Sequence, residues 1–343
     1  MQPSPMPPNH WQRSAVTLVL GFFGAFGAEA LALPAAPLIG AAVASSVAAW
    51  GGIRLRVDHR LRDLGFLAVG LSLGSGVRPD VVSEAADWGV SLVMLCLSIL
   101  TTLWLSALLL RRFGGLDRDT SLLASAPGTL SLVMAMASER KGDVTAITVI
   151  QSLRLLLLTA ILPLAVVWVG GGSRIQPALP DLPVQALLGI AALGWLVSLP
   201  LKRFGFPAAF LLGGMIAGAM GQLSGVVSGQ PAYWTLFLGY ALIGSVIGSR
   251  FTGITLRQVW AQAGLTVIMV STAALVSGGF AVLVGLWTDI PADQLWIAYA
   301  PGGVEAMAAI GLALGIDPAF VALHHLVRIG LLMLCLPLLM RRR

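Results

Sequence analysis

Apolar runs separated by short polar stretches extend over nearly the whole chain. A helix of about twenty apolar residues crosses a hydrocarbon core about 30 Å thick, so runs of that length predict membrane-spanning helices. Four runs qualify by length and continuity: 88–110, 144–169, 260–287 and 318–340. Six more are shorter or richer in glycine: 15–30, 34–51, 64–76, 184–199, 207–225 and 233–248. The pattern predicts an all-α polytopic membrane protein.

Composition agrees with this prediction, because 57% of the residues are hydrophobic and only 10% are charged. The N-terminal run, 15–30, is interpreted as a retained helix and not as a removed signal peptide, since no convincing small-residue cleavage site follows it. Cys96 and Cys335 lie inside predicted spans and are expected to pack as small apolar groups. The net charge is +6, but the sequence contains no basic stripe with interleaved aromatic residues, so we expect no nucleic-acid partner. The expected partners are the lipid bilayer and a small-molecule solute, with a homo-oligomer left open.

Two parts of the chain repeat each other. "SAPGTLSL" at 125–132 aligns with "YAPGGVEA" at 299–306, an offset of 174 residues (301 − 127). The same register matches Asp143 with Asp317 and Arg154 with Arg328. "LPAAPLIG" at 33–40 matches "FPAAFLLG" at 206–213 with an offset of 173 (206 − 33). An arginine rarely recurs in register inside two apolar helices by chance, so the chain reads as a tandem duplication.

The distribution of positive charge predicts the orientation of the two copies. If the segment around each Pro-Gly pair crossed the membrane, the loop Lys and Arg residues would divide into twelve inside and seven outside. If each segment enters and returns on one side, the division is seventeen inside, Arg250 among them, and two outside (Arg78 and Arg174), with Arg154 and Arg328 within the membrane. Positive residues favour the cytoplasmic side, so the second arrangement is preferred. It gives five crossings per copy, and an odd number inverts the second copy.

The predicted organisation therefore has four parts: a cytoplasmic tail at 1–14, a first membrane repeat at 15–170, a linker at 171–183 and a second membrane repeat at 184–343. Each repeat contains one re-entrant or discontinuous helix broken by Pro-Gly. We expect a multi-pass membrane protein with both termini in the cytoplasm. Inverted repeats with paired broken helices are typical of secondary transporters, whose substrate sites lie near the midplane between the repeats.

The two breaks provide the first candidate substrate contacts. Irregular backbone at membrane depth persists only where protein or a watery cavity satisfies it. The helix after each break presents N-terminal amides and a dipole that favour an anion. The candidate residues are Pro127, Gly128 and Thr129 in the first break and Pro301, Gly302 and Gly303 in the second.

Two arginines deep in apolar helices are the second set of candidates. Arg154 and Arg328 each lie eleven residues into a predicted span, where a lone arginine costs about 2.5–3.5 kcal/mol on insertion scales. Gln151 and His325 lie three residues earlier at equivalent positions and neighbour the arginines on the helix surface. We expect these side chains to bind an anionic solute. The alternative is that the arginines are satisfied internal pairs that fix helix packing.

Glu305 and His324 are candidates for proton or ion coupling, since an ionisable group inside a membrane is a functional hypothesis by default. Glu305 follows the second break, and His324 lies four residues before Arg328 on the same helix face. The alternative for the histidine is a packed neutral imidazole. The first copy has Ser131 where the second has Glu305, so any role of the carboxylate is asymmetric.

With these motifs in view, the chain resembles the AbrB family of bacterial membrane proteins. The resemblance rests on the two Pro-Gly motifs, each followed by a Met-Ala-containing helix, and on the aspartate-then-arginine pattern of 142–158 and 315–332. It extends over roughly residues 15–340. It implies a duplicated protein of the bacterial inner membrane, and members of the family carry the labels ammonia monooxygenase or regulator of gene expression.

The monooxygenase label finds no support in the residues. Such an enzyme needs a metal or organic cofactor held by converging ligands. His10 and His59 lie in polar segments, and the adjacent His324 and His325 point about 100° apart on a helix, so they do not readily chelate one ion. We therefore expect no enzymatic activity, no metal and no cofactor. The sequence favours a transporter of a small, anionic solute by alternating access; the alternative is a non-transporting sensor or scaffold that affects gene expression indirectly.

Overall fold

The computed structural model describes residues 10–77, 88–126, 133–134, 136–138, 142–168, 180–206 and 208–340, the side chain of Glu305 excepted. The helices of the first half are α1 (His10–Ala30), α2 (Ala36–Trp50), α3 (His59–Ser75), α4 (Gly89–Gly114), α5 (Arg118–Ser125) and α6 (Val144–Trp168). Those of the second half are α7 (Val184–Arg203), α8 (Ala209–Leu223), α9 (Tyr233–Ser249), α10 (Leu256–Gly285), α11 (Ala292–Tyr299), α12 (Val304–Ala313) and α13 (Pro318–Leu339).

Five of these helices are long and apolar enough to cross a membrane, namely α4, α6, α7, α10 and α13. Three shorter helices, α2, α8 and α9, are also apolar. Their bounds lie within a few residues of the predicted runs, while α1 begins at His10, before the predicted end of the tail. The predicted fold class, an all-α polytopic membrane protein, is confirmed.

Local geometry recurs in the two halves. Ala35 before α2 and Ala208 before α8 share a left-handed backbone conformation, with φ of 52° and 51°. Such a conformation is uncommon for a residue other than glycine, and the two positions differ by the predicted offset of 173 (208 − 35). Asp143 and Asp317 both accept hydrogen bonds from first-turn amides, of α6 and α13 respectively. These aspartates therefore act as N-caps of equivalent helices, in agreement with the predicted duplication.

Helices α1–α3 and α7–α9 form one closely packed group, which we call the glycine-packed group. It joins the two halves, because α3 packs on α8 and α9 packs on α2. A Cβ added at Gly70 would lie 2.1 Å from the carbonyl oxygen of Leu211. A Cβ at Gly244 would lie 2.4 Å from the carbonyl oxygen of Leu38. The same contact thus occurs twice with the halves exchanged, as a two-fold relation between them produces, and small residues allow the backbones to approach this closely.

Helices α3 and α9 cross where each has a glycine at the same repeat position. A Cβ at Gly65 would lie 3.4 Å from the Gly239 carbonyl oxygen, and a Cβ at Gly239 would lie 3.2 Å from the Gly65 carbonyl oxygen. The positions differ by 174 (239 − 65), so each residue meets its own equivalent. A residue that contacts its own counterpart lies beside a symmetry axis. If the halves are related as the sequence predicts, the approximate two-fold axis passes close to these two glycines.

Contacts at the helix ends give the direction of the helices in this group. His10, which starts α1, lies 3.6 Å from the carboxylate of Asp58, which caps the start of α3. Asp63 in the second turn of α3 lies 2.9 Å from Nζ of Lys202 in the last turn of α7. Helix α1 is therefore parallel to α3 and antiparallel to its equivalent α7. An inverted second copy requires this direction; for the complete repeats, which include segments outside the described residues, inversion stays a prediction.

Helices α4–α6 and α10–α13 form a second group, which we call the hairpin group because it contains the short helices α5, α11 and α12. Helix α10 packs on α4 and α6, and α13 packs on α4, α11 and α12. The amide of Asp143, which precedes α6, donates to Oγ1 of Thr120 at 2.9 Å. Thr120 lies in the first turn of α5, so α5 and α6 begin side by side, as the predicted re-entrant segment requires.

Gly70→Ala tests the close contact between α3 and α8. The added methyl group would overlap the Leu211 carbonyl oxygen, and overpacking of this kind costs roughly 1–3 kcal/mol. We expect the melting temperature of the detergent-purified protein to fall by several degrees. The matched control is Gly264→Ala in α10, where an added Cβ has no atom within 4 Å, and it should be neutral or slightly stabilising. Equal melting temperatures for the two variants would contradict the glycine packing.

Cysteine labelling tests the inverted orientation. In a Cys96→Ala, Cys335→Ala background, a membrane-impermeant thiol reagent added from the periplasm should modify Asp289→Cys and spare Arg203→Cys. Both native side chains are exposed, so accessibility to the reagent depends on the side of the membrane. Labelling of the second variant but not of the first would contradict the inversion.

Candidate functional site

The second break lies between α11 and α12, where residues 300–303 are not helical. Pro301 lacks an N–H group and disfavours helix in the residue before it, so α11 ends at Tyr299. A Cβ at Gly302 would lie 2.5 Å from the Met307 side chain, so this glycine makes room for the break to fold against α12. Pro301 and Gly302 are buried. The irregular backbone therefore lies inside the protein.

Arg328 satisfies carbonyl groups that this break leaves without helical partners. Its side chain, in α13, is only 1% exposed. Nη1 donates to the carbonyl oxygen of Ala300 at 2.5 Å, and Nη2 donates to that of Gly302. A guanidinium presents several donors in a rigid fork, so one side chain can bind two carbonyls. Helix α12 begins beside this contact, and its N-cap Gly303 has no side chain to cap the first amides.

Arg154 makes the equivalent contact in the first half. Its Nη1 donates to the carbonyl oxygen of Ala126 at 3.2 Å, and Ala126 precedes Ala300 by 174 residues (300 − 126). Gln151, one turn earlier, donates to the carbonyl oxygen of Leu123 at 2.7 Å. Arg154 is 2% exposed and Gln151 is 1% exposed. Helix α6 therefore binds the end of α5 in the same register in which α13 binds the end of α11.

The first-half arginine has a neighbour that sequence reasoning missed. Arg250, the C-cap residue of α9, is close enough to act electrostatically on Arg154. The charge distribution had assigned Arg250 to a cytoplasmic loop, and no motif marks it. Nε of Arg154 makes no hydrogen bond within the described residues. Arg154 therefore keeps one buried donor without a hydrogen bond among the described residues.

His325 and Gln151 occupy equivalent positions but differ in their contacts. His325 is fully buried and lies beside the carbonyl of Ile297, the equivalent of Leu123. Neither of its ring nitrogens makes a hydrogen bond of ordinary geometry in the described part of the chain. The amide of Gln151 is longer and reaches its carbonyl. Gln151 and His325 thus occupy equivalent positions beside equivalent carbonyl groups, but only Gln151 forms the hydrogen bond.

His324 lies in a cluster of hydroxyl and aromatic groups that joins α4, α11 and α13. Its Nε2 is 2.8 Å from Oγ of Ser91, and its Nδ1 donates to the carbonyl oxygen of Phe320 at 2.8 Å. Tyr299 donates to the carbonyl oxygen of Ser91, and the Trp88 ring packs edge-on against Phe320. Sequence reasoning missed Ser91 and Tyr299, which are far from His324 along the chain. The role of His324 in proton coupling stays a prediction.

The structure brings each arginine to its own break, and one shared site for both stays a prediction. Pro127, Gly128, Thr129 and the side chain of Glu305 lie outside the described residues. The other predicted contacts all lie at or beside a break: Arg154, Gln151, Arg328, His325, Pro301, Gly302 and Gly303.

The second break also lies close to the boundary between the two helix groups. The hydroxyl of Tyr240 in α9 donates to the carbonyl oxygen of Ala309 in α12 at 3.0 Å, and both groups are buried. At the end of α3, a Cβ at Gly76 would lie 3.4 Å from Cγ of Pro318, which starts α13. The glycine-packed group therefore contacts the very helices that follow the second break.

Comparisons with known proteins cover both halves. A family model described as transition state regulatory protein AbrB matches residues 37–343. An uncharacterized protein of Bacillus subtilis (strain 168), YhjN, is 29% identical over 307 residues, which are 82% of this chain and 78% of the relative. A protein of Escherichia coli (strain K12) named "Putative regulator AbrB" is 25% identical over 356 residues, 98% of this chain and 97% of the relative. The residues that the family model matches include both breaks and both buried arginines.

Substitution by lysine should affect the two arginines unequally. An ammonium group provides one point of attachment, so Arg328→Lys cannot reproduce the pair of bonds to Ala300 and Gly302. Arg154→Lys can keep the single bond to Ala126. Because a hydrogen bond to a charged group contributes about 1.5–3 kcal/mol, we expect the larger fall in melting temperature for Arg328→Lys. An equal or reversed order would contradict the assigned contacts.

Proposed function

Starting from the AbrB family of membrane proteins, to which this chain belongs, we propose that the protein is a secondary transporter that moves a small anionic solute by alternating access. The observation that carries the proposal is the pair of buried arginines, each bound to backbone carbonyls where a helix is broken. Buried charge and irregular backbone are both costly in a membrane protein, and they typically mark substrate pathways. Their recurrence in both halves supports a site built from the two breaks.

The charge at the breaks supports an anionic solute. Arg328 contributes a full positive charge beside the uncapped N-terminus of α12, whose amides and dipole favour negative groups. Arg154 contributes another positive charge beside the end of α5. In our proposal the arginines hold the backbone in the empty state and share their donors with the solute in the bound state. Glu305 and His324 remain the candidates for proton coupling.

The division into two helix groups supports alternating access. Transporters of this construction commonly move one bundle of helices against the other around a central site. In the glycine-packed group, glycines of α3 and α9 lie directly against the backbone of α8 and α2, respectively. This close packing makes the group a suitable rigid frame. The hairpin group carries both breaks and both buried arginines. We propose that the hairpin group moves against the frame, with both chain termini in the cytoplasm of a bacterial cell.

The proposal assigns no chemical reaction to the protein and no cofactor. The name of the Escherichia coli relative refers to regulation. In a transporter, an effect on gene expression would be indirect, through the level of a solute that controls it. A sensor or scaffold that binds the solute without moving it is the competing function, and the same experiment separates the two.

Uptake into proteoliposomes tests the proposal. The purified protein should accumulate at least one radiolabelled anion from a panel of mono- and dicarboxylates and inorganic phosphate when a proton gradient is imposed. Arg154→Gln combined with Arg328→Gln should lower the rate to that of empty liposomes, because the solute loses both guanidinium groups. Arg257→Gln, at an exposed position early in α10, is the control and should retain uptake.

Two results would contradict the transport proposal. If uptake survives the loss of both arginines, Arg154 and Arg328 do not bind the solute during transport. Anion binding to the wild-type protein with no flux for any member of the panel would favour the sensor or scaffold.

A further inference from the structure

We propose that His324 binds the coupling proton of the transport cycle, in a site that Ser91 and Tyr299 complete by exchanging hydrogen bonds. The inference rests on the proposed function and deepens it, because it names the proton as the coupling ion and assigns its site to the cluster where α4, α11 and α13 meet. The proton comes from the aqueous medium and adds to the lone pair of Nε2, so that the imidazole becomes an imidazolium.

The hydrogen bonds of the cluster fix which nitrogen of His324 accepts the proton. Nδ1 lies 2.8 Å from the carbonyl oxygen of Phe320. A carbonyl oxygen only accepts hydrogen bonds, so Nδ1 carries a hydrogen. In the neutral ring Nε2 is then an acceptor, and the hydroxyl of Ser91, 2.8 Å away, donates to it. Nε2 is therefore the atom that gains the proton.

The same side chains also satisfy the protonated ring. Once Nε2 carries a hydrogen it donates to Oγ of Ser91, and the Ser91 hydroxyl turns to donate to the hydroxyl oxygen of Tyr299, 3.3 Å away. Tyr299 keeps its own bond to the carbonyl oxygen of Ser91 in both states. Each of these groups therefore has a partner with and without the proton, and protonation avoids the cost of an unpaired buried group.

Three aromatic rings lie around the imidazole and favour a positive charge on it. The ring centroids of Phe320, Tyr299 and Trp88 lie 3.9, 6.2 and 6.5 Å from that of His324. A cation near an aromatic ring is attracted by the negative charge of its face, most strongly where water is excluded. His324 is fully buried. The rings therefore offset part of the cost of burying the charge.

The first half packs the equivalent helices with apolar residues at two of these three positions. The positions that correspond to His324, Ser91 and Tyr299 are Ile150 (324 − 174), Leu265 (91 + 174) and Ser125 (299 − 174). Ile150 and Leu265 pack in one hydrophobic cluster, and Ile150 is fully buried. Packing of these helices therefore does not require an imidazole and a hydroxyl, and their presence in the second half supports a function.

Tyr299 connects the proton site to the second break. The next residue, Ala300, accepts a hydrogen bond from Nη1 of Arg328, which follows His324 by one helical turn. Positive charges four residues apart on a helix repel each other. An anion bound at this break reduces the repulsion, so the anion favours binding of the proton and the proton favours binding of the anion to the same extent. Coupled binding of this kind is what symport requires.

The cluster lies near one end of the hairpin group, where α4 and α13 begin. Trp88, which precedes α4, packs edge-on against Phe320 in the first turn of α13. In the predicted orientation this end faces the periplasm, so the proton enters from that side. Arg328 opposes a proton on His324, and the bound anion offsets its charge. The charged and titratable groups within about two turns of the cluster on these helices are Cys96 of α4, Asp293 and Tyr299 of α11, Glu305 of α12, and Asp317, His325 and Arg328 at the start of α13 or within it.

A comparison of exchange with uphill uptake tests whether His324 couples the proton. The probes are radiolabelled succinate and inorganic phosphate in proteoliposomes. His324→Gln should still exchange external label for internal unlabelled anion, because exchange needs no net proton movement. It should lose the accumulation that an imposed proton gradient drives. His59→Gln is the matched control, with a side chain that is 51% exposed, and should keep both activities.

Calorimetry counts the proton directly. Binding of succinate or phosphate to the purified full-length protein is measured in buffers of different ionisation enthalpy, which gives the protons taken up per bound anion. Wild-type protein should take up about one proton more than His324→Gln, since binding of the two is linked. The difference between the two proteins cancels any titration of the probe itself.

Tyr299→Phe tests the hydroxyl that completes the site, because it keeps the ring and removes only that group. The protonated state loses the acceptor for Ser91, so the pH profile of proton-driven uptake should move to lower pH by roughly half to one unit, the equivalent of one hydrogen bond. A purely structural hydroxyl would lower the rate at every pH without moving the profile. Tyr233→Phe, at an exposed position, is the control and should leave the profile in place.

The outcomes separate this inference from the transport proposal. Proton-driven accumulation at the wild-type level in His324→Gln, equal proton uptake by the two proteins, or an unchanged pH profile in Tyr299→Phe would each overturn the proton site and leave transport standing. Wild-type uptake that does not depend on the proton gradient would do the same. A wild-type protein that neither binds nor takes up any anion of the panel would overturn both.

Discussion

A backbone carbonyl that loses its helical partner inside a membrane needs a donor from the protein, because the hydrocarbon supplies none. The break after α11 frees the carbonyls of Ala300 and Gly302, and Arg328 binds both. Arg154 binds the carbonyl of Ala126 at the end of α5 in the same way. These bonds fix the short helices against α6 and α13. The arginines are therefore structural, and in the proposed transporter the same groups present positive charge to the solute.

The glycine contacts explain why movement is expected between the helix groups and not within the first one. At Gly70 and Gly244 an added methyl group would overlap backbone of the facing helix, so these helices have no room to shift by small steps. Cores packed at this density tend to move as rigid bodies. The hairpin group contacts this frame through α6, α12 and α13. One of these contacts is the hydrogen bond from Tyr240 to α12. Alternating access requires at least a rigid frame and a mobile group with the binding site between them. In the proposed mechanism the glycine-packed group is the frame and the hairpin group is the mobile part.

Sequence patterns predicted the fold class, the spans and the equivalence of Arg154 and Arg328, because hydrophobic length and register are local properties of the chain. They did not predict contact partners. Ser91 meets His324 across 233 residues, and nothing in either segment marks the pairing. Arg250 was counted as a loop charge because its position near a helix end says nothing of the buried arginine beside it. The pairing of α9 with α2 likewise follows from the three-dimensional arrangement alone.

The central claim is that the hairpin group moves against the glycine-packed group as the solute crosses. A reversible disulfide between Gly76→Cys and Pro318→Cys would join the two groups where α3 meets α13, in a cysteine-free background. Gly65→Cys with Leu242→Cys, whose Cβ atoms would lie 2.9 Å apart before any adjustment, joins two helices within one group and is the control. The account predicts that oxidation stops anion uptake in the first pair, that reduction restores it, and that the control pair transports throughout. Full uptake with the 76–318 disulfide formed would contradict it.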